Sequence, residues 1–223
     1  MNFITFSYKI ESDLCKKYEQ ETDMAESALT KRVIADSLKE LSRTKPFDKI
    51  SVGEIAKNCN VNRQTFYYHF EDKYDLLKWI YYEDYYYPSL SDLTFDNWDK
   101  CAEKLLTLVK EDKAFSVNTI KHAGEEMIHV FLRDTEKIFQ NLLDYFRSQA
   151  DWGERLLRVV SKEEQNFITR FFAYGVCGII TSWVTDGMKE EPRDLAGNMR
   201  VLLESCKQIA FNRVMDEKEN EGK

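Results

Sequence analysis

Apolar residues recur at three- and four-residue intervals along nearly the whole chain, with almost no strict alternation. With only three Pro and eight Gly in 223 residues, this pattern predicts an all-α protein. Ser27 to Lys45 reads as a first helix with Leu29, Val33, Ile34, Leu38 and Leu41 on its apolar face. Pro46 ends it, and Phe47 and Ile50 are candidate core residues. A second helix opens at Ser51, which forms a capping box with Glu54, and carries Val52, Ile55 and Ala56 inward. It stops at Asn58-Cys59-Asn60, where Asn60 supplies the left-handed residue of a tight turn and Val61 plugs the core. Asn62 caps a third helix, Arg63 to His69, with Phe66 and Phe70 inward. Asp72 caps a fourth, which runs to about Tyr87 with Leu76, Leu77, Trp79 and Ile80 inside and Pro88 closing it.

Further helices follow over Asp96–Lys110, Ala114–His122 and Glu125–Ser148, the last with a stripe of Phe131, Ile138, Phe139, Leu142 and Phe146. Ser161 opens the most apolar segment of the chain, which Gly187 closes, and Pro192 restarts a final helix from Arg193 to about Met215. In these two helices Gly175 and Gly178 permit close approach of another helix, amid Ile168, Phe171, Phe172, Ile179, Ile180 and Trp183. Paired across a two-fold axis, the two helices would make a four-helix dimer interface; the other reading is internal core. Candidate dimer residues are Phe171, Tyr174, Gly175, Gly178, Ile179, Trp183, Leu202 and Ile209.

The second and third helices carry the chemistry. With Phe66 and Phe70 turned inward, Arg63, Gln64, Thr65, Tyr67, Tyr68 and His69 remain for the outer side. Donors and rings on a short helix opened by Arg and Gln suit a helix entering the DNA major groove. There Arg can bond guanine and Gln adenine through two hydrogen bonds each. Lys73 sits in the first turn of the next helix, against the favourable sign of the helix dipole, which points to a phosphate contact. With Ser51 these residues form the candidate DNA-facing set.

The string VGEIAKNCNVNRQTFYYHFEDKYDLL resembles the helix-turn-helix of the TetR/AcrR family of bacterial transcription regulators. The match rests on the aliphatic second helix, Val61, Thr65-Phe66-Tyr67, His69-Phe70, Lys73 and Leu76-Leu77. Asn60 stands where that family usually has Gly. The resemblance implies a homodimer on palindromic double-stranded operator DNA, a repressor released by an effector held in the C-terminal domain. Further on, Tyr174-Gly175, Gly178, Trp183 and Pro192 resemble the C-terminal domain of the DhaS-type subgroup, which implies instead an activator answering to a protein co-regulator. A protein adaptor that has lost DNA binding is a third reading.

The expected organisation is a poorly ordered N-terminal extension over 1–26, a DNA-binding head over 27–87, an effector and dimerisation body over 88–216 and a disordered tail over 217–223. Met24 is an alternative start. A run of tyrosines, Tyr81-Tyr82-Glu83-Asp84-Tyr85-Tyr86-Tyr87, reads either as a half-buried seam or as the wall of a pocket. Tyr82, Tyr86, Trp98, Phe131 and Phe139 are the candidate effector-pocket residues.

Net charge is −7, which by itself argues against nucleic acid. Between Met24 and Ile80, however, ten Lys or Arg face eight Asp or Glu, so the negative excess lies elsewhere. Only the DNA-facing surface has to be basic. Five scattered cysteines, at 15, 59, 101, 177 and 206, form no C-x-x-C pair and read as small buried apolar residues. No stretch reads as a signal peptide, nor as a run of about twenty apolar residues, so no membrane span is expected and the cytoplasm is the expected compartment. His122, Glu126 and His129 would share a helical face if Gly124 left the helix unbroken, but no fourth ligand accompanies them. No metal and no cofactor is expected. Catalysis is not expected either, since no nucleophile–base pair, phosphate loop or paired carboxylates stand out.

Overall fold

The computed structural model describes residues 26–94, 96–148 and 161–221, and every regular element among them is helical. Helix α1 spans 26–41. A 3₁₀ turn, Phe47–Lys49, precedes α2 (Val52–Asn58), α3 (Arg63–His69) and α4 (Lys73–Tyr81). A π-helical turn, Tyr82–Tyr86, continues α4 into a short α5 (Tyr87–Leu90). Then come α6 (Trp98–Glu111), α7 (Lys113–His122), α8 (Glu125–Ser148), α9 (Lys162–Thr185) and α10 (Pro192–Glu221). The described residues up to Leu77, without Pro46–Asp48, form one compact unit, and Pro46–Asp48 with the residues from Lys78 onward form a second. The division falls inside α4, whereas the sequence reading placed it after Tyr87. Residues 1–25, and so nearly all of the expected extension, lie outside the described residues.

In the first unit α1 buries Ile34, Ala35 and Leu38. Leu29 and Val33, expected on that face, are exposed. Ser37 ties α1 to α2: its hydroxyl donates to the Ile55 carbonyl at 2.8 Å and accepts from Asn58 at 3.2 Å. Ile55, Phe66, Leu76 and Leu77 complete this core at zero exposure. Each such side chain contributes roughly 1.5–3 kcal/mol relative to leaving it in water.

The second unit is a bundle in which α9 packs on α8 and α7, and α10 on α6. Arg200 pairs with Asp99 at 2.6 Å, Lys110 with Glu191 at 2.8 Å, and Lys113 donates to the Gly187 carbonyl at 2.7 Å. These bonds bind α6 and the start of α7 to the α9–α10 hairpin. Gly187 (φ 92°) ends α9 in a Schellman turn, its N–H donating to Val184 and that of Met188 to Trp183.

Three expectations need correction. Helix α4 does not stop at Pro88 but passes through a wider turn to Leu90. Proline has no N–H, and its ring would press on the carbonyl one α-turn back; the π turn opens that space. Gly124 (φ 78°) separates α7 from α8, in keeping with the expected helix bounds, so His122 and His129 lie on different helices. His122 instead lies 3.7 Å from Asp48. The tail is helical as far as Glu221. Finally, α9 is long and apolar enough, by length and composition, to cross a membrane, although only 28% of that window is buried in the protein. One side of it nonetheless buries Gln165 and Thr169, which suits a helix packed on protein and open on its other side.

Candidate nucleic-acid interface

The turn that sets up α3 follows from three residues. Ser51 accepts from the Glu54 N–H while the Glu54 carboxylate accepts from the Ser51 N–H, so α2 begins with a complete capping box. Asn60 takes φ 56°; its N–H donates to Lys57 and that of Val61 to Ala56, the pattern of a Schellman turn with Asn in the glycine position. Asn62 then caps α3 by accepting from the Thr65 N–H at 2.7 Å. Val61 is half-buried, a looser plug than expected.

Phe66 and Phe70 lie inside with ring centroids 5.9 Å apart. This fixes the rotation of α3 and leaves Arg63, Gln64, Tyr67 and Tyr68 exposed, Tyr68 at 82%. Thr65 and His69 are half-exposed at the flanks. No acidic residue occurs in α3. Burial, and then the Lys31 charge, lowers the His69 pKa below its ordinary value, so at neutral pH this imidazole is uncharged and offers one N–H donor. The Tyr68 ring meets it edge-on, with centroids 4.9 Å apart.

Three members of the candidate set already have partners inside the unit. The Ser51 hydroxyl bonds the Glu54 carboxylate at 2.8 Å. The Lys73 amine donates to the Ile50 carbonyl at 2.9 Å and lies 5.6 Å from the Tyr74 ring centroid, tying the start of α4 to the segment before α2. The Arg63 guanidinium lies across Gly53: a Cβ built there would sit 2.3 Å from Nη2. The sequence reading did not single out Gly53, although a glycine in the first turn of a helix that otherwise buries Ile55 and Ala56 was the available signal.

Residues 34–80 match the family described as bacterial regulatory proteins, tetR family, and residues 96–205 match the one described as transcriptional regulator C-terminal region. The chain belongs to the TetR family of transcription regulators. Among curated relatives, the HTH-type dhaKLM operon transcriptional activator DhaS of Lactococcus lactis subsp. lactis (strain IL1403) is 26% identical over 165 residues, 74% of this chain and 84% of that protein. The solved structure of the dihydroxyacetone kinase operon activator DhaS superposes with a TM-score of 0.64 at 24% identity, over 82% of this chain and 98% of that one. These relatives are transcription regulators, not enzymes.

The body of this TetR-family chain holds a partly open cavity of about 140 Å³. Of the candidate pocket residues, Tyr86, Trp98, Phe131 and Phe139 line it, and Tyr82 does not; Tyr82 is exposed. Tyr81 and Tyr85 take the place expected of it. An α-turn would bring Tyr81 and Tyr85 to one side and carry Tyr86 round to the next. The extra residue of the π turn returns Tyr86 to the same wall. The Tyr81 ring meets Phe131 edge-on at 4.8 Å, and Tyr86 stacks on Phe131 at 6.3 Å.

On the open side of α9, Phe171, Tyr174, Gly175, Gly178 and Ile179 are exposed, as are Leu202 and Ile209 on α10. Trp183 is not part of that face. It is 5% exposed, and its indole N–H donates to the Glu190 carbonyl at 3.0 Å, closing the α9–α10 turn.

Proposed function

We propose that this TetR-family regulator is a cytoplasmic homodimer that reads a palindromic operator with α3. Occupancy of the cavity in its body then releases it from DNA. The observation that supports this most is the exposed face of α3. Four large polar or aromatic side chains stand free of carboxylates on a helix whose rotation is fixed by Phe66 and Phe70. In this reading Arg63 and Gln64 reach base edges, and the hydroxyls of Thr65, Tyr67 and Tyr68 with the His69 N–H reach bases or phosphates. Ser51 and Lys73 lie at the flanks; the Lys73 amine, which donates to the Ile50 carbonyl, stands in this reading beside the DNA backbone.

Dimerisation is supported by the large apolar side chains exposed on α9 and α10, where Phe171 is 62% and Ile209 62% exposed. Such a surface on a monomer marks an interaction site. The effector link is supported by chain continuity: α4, which ends at Tyr81, leads directly into the turn that carries Tyr85 and Tyr86. An effector shifts the balance only if it binds the DNA-competent arrangement and its alternative unequally. The relation to DhaS, named an operon activator, favours a second reading in which the same head activates transcription.

The test is binding of the purified protein to the DNA upstream of its own gene across a salt series. Saturable binding to an inverted repeat, with affinity falling steeply as salt rises, is expected. Weak binding indifferent to sequence would refute operator recognition there. Arg63→Ala or Gln64→Ala should each relax preference at one base position per half-site by about 1–3 kcal/mol. Deleting the gene should raise expression of a reporter fused to the operator if the protein represses, and lower it if it activates.

A further inference from the structure

Among the described residues, no Asp, Glu, Lys, Arg or His lines the cavity of the second unit, about 140 Å³. An ion entering it would lose its water without gaining a counter-charge, a cost that normally keeps charged groups out of such sites. The nearest carboxylate in the hydrogen-bond network, Asp112, accepts from the Tyr85 hydroxyl at 2.9 Å, and the Tyr81 hydroxyl is bonded to Thr119 at 2.7 Å. Both rings therefore turn carbon, not oxygen, toward the cavity. Burial raises the pKa of the Tyr81 and Tyr86 hydroxyls and of the Cys177 thiol, so the wall stays neutral throughout the physiological range.

Two threonines, Thr135 and Thr181, interrupt this apolar wall. Thr135 is buried on α8 and lines the cavity; its hydroxyl is bonded to Tyr86 and accepts from Cys177 Sγ at 3.3 Å. A hydroxyl has one donor and two acceptor positions, so Thr135 can take one more neutral partner. The size is also informative: a dry apolar cavity of roughly 150 Å³ takes a benzene molecule.

We infer that the cavity takes an uncharged aromatic ligand of about one or two rings, packed against Tyr81, Tyr86 and Phe131 and hydrogen-bonded at the Thr135 hydroxyl. This rests on the reading that an effector acts through the body, and it adds the chemical class of that effector. The aromatic pairs around Phe131 supply edge and face contacts for a ring, and Trp98 closes another part of the lining.

The test uses the full chain and two matched sets of probes in calorimetry: toluene, p-cresol and indole against benzoate and benzylamine, which are charged at pH 7. The neutral compounds should bind roughly tenfold or more tightly than the charged ones. Ala102→Phe, which fills the cavity from its α6 wall, should abolish their binding. Thr135→Val conserves shape and removes the hydroxyl; it should weaken p-cresol but leave toluene unchanged, and it keeps the test decisive if Ala102→Phe fails to fold. Binding of benzoate or benzylamine equal to that of the neutral probes would overturn the inference. So would absence of binding by every neutral probe, or equal weakening of toluene and p-cresol by Thr135→Val. Operator affinity is measured separately, with and without p-cresol: neutral binding that leaves DNA affinity unchanged upholds the cavity's chemistry while refuting its role as an effector site.

Discussion

At Asn60 the backbone needs a positive φ, and Asn is the non-glycine residue best suited to it because its short amide can bond locally. That one conformation allows α3 to follow α2 so closely. Glu54 performs a comparable task at the other end of α2. Its hydrogen bond from Lys45, then those from the Ser51 N–H and hydroxyl, hold its pKa at about 2 against an ordinary 4.5. A carboxylate with a depressed folded-state pKa stabilises the fold above its unfolded value, and that contribution disappears as pH falls through the folded value. The thermal midpoint of the parent should therefore exceed that of Glu54→Gln above pH 4.5, with the two curves converging toward pH 2. Parallel curves across that range would show that Glu54 carries no such linkage. Both residues were legible in the sequence, because caps and turns depend on neighbours a few positions away.

Helices α2 and α3 show where local reading stops. Their boundaries followed from Ser51, Asn60 and Asn62, and the rotation of α3 from Phe66 and Phe70. The contact between Arg63 and Gly53 joins two helices and has no signature in either one. Gly53→Ala would drive a Cβ into the guanidinium, and the flexible end of Arg63 would swing away at little cost. Stability should hold or rise by roughly 0.5–1 kcal/mol, since alanine is the better helix residue. Under the proposed role of Arg63 in base recognition, preference at one base position per half-site should nonetheless change. Unaltered preference in a binding-site selection would show that the resting place of Arg63 has no bearing on recognition. The π turn belongs to the same scale: Pro88 was visible, but it was read as an end to the helix. Proline marks a conflict with helix geometry and does not specify whether the chain stops or widens.

For the whole molecule, the apolar character of α9 was plain in the sequence, whereas its sidedness was not. The helix is apolar on the side that packs against α8 and on the side left open, so no periodicity separates Ala173, which is buried, from Phe171, which is exposed. At Gly178 a Cβ would meet nothing within 4 Å in the protomer. If the proposed dimer forms through this face, Gly178→Leu should preserve the folded protomer while converting that dimer to monomers in sedimentation velocity. A variant that still sediments as a dimer would remove Gly178 from the interface. Because two half-sites must be engaged together, the monomeric variant should also lose most of its operator affinity.

Sequence alone determined the all-α class, the positions of nearly every helix, the caps of α2 and α3 and the family resemblance. Each of these depends on hydrophobic spacing or on hydrogen bonds between residues within a turn of one another. Tertiary structure decided which apolar residues face another helix, a cavity or solvent. It placed Tyr81 and Tyr85 in the cavity wall and left Tyr82 outside. It drew Trp183 in to close a turn, and gave the Lys73 amine a carbonyl on a distant segment. Those outcomes depend on what lies opposite each side chain, which the chemistry of a residue and its neighbours in the chain does not encode.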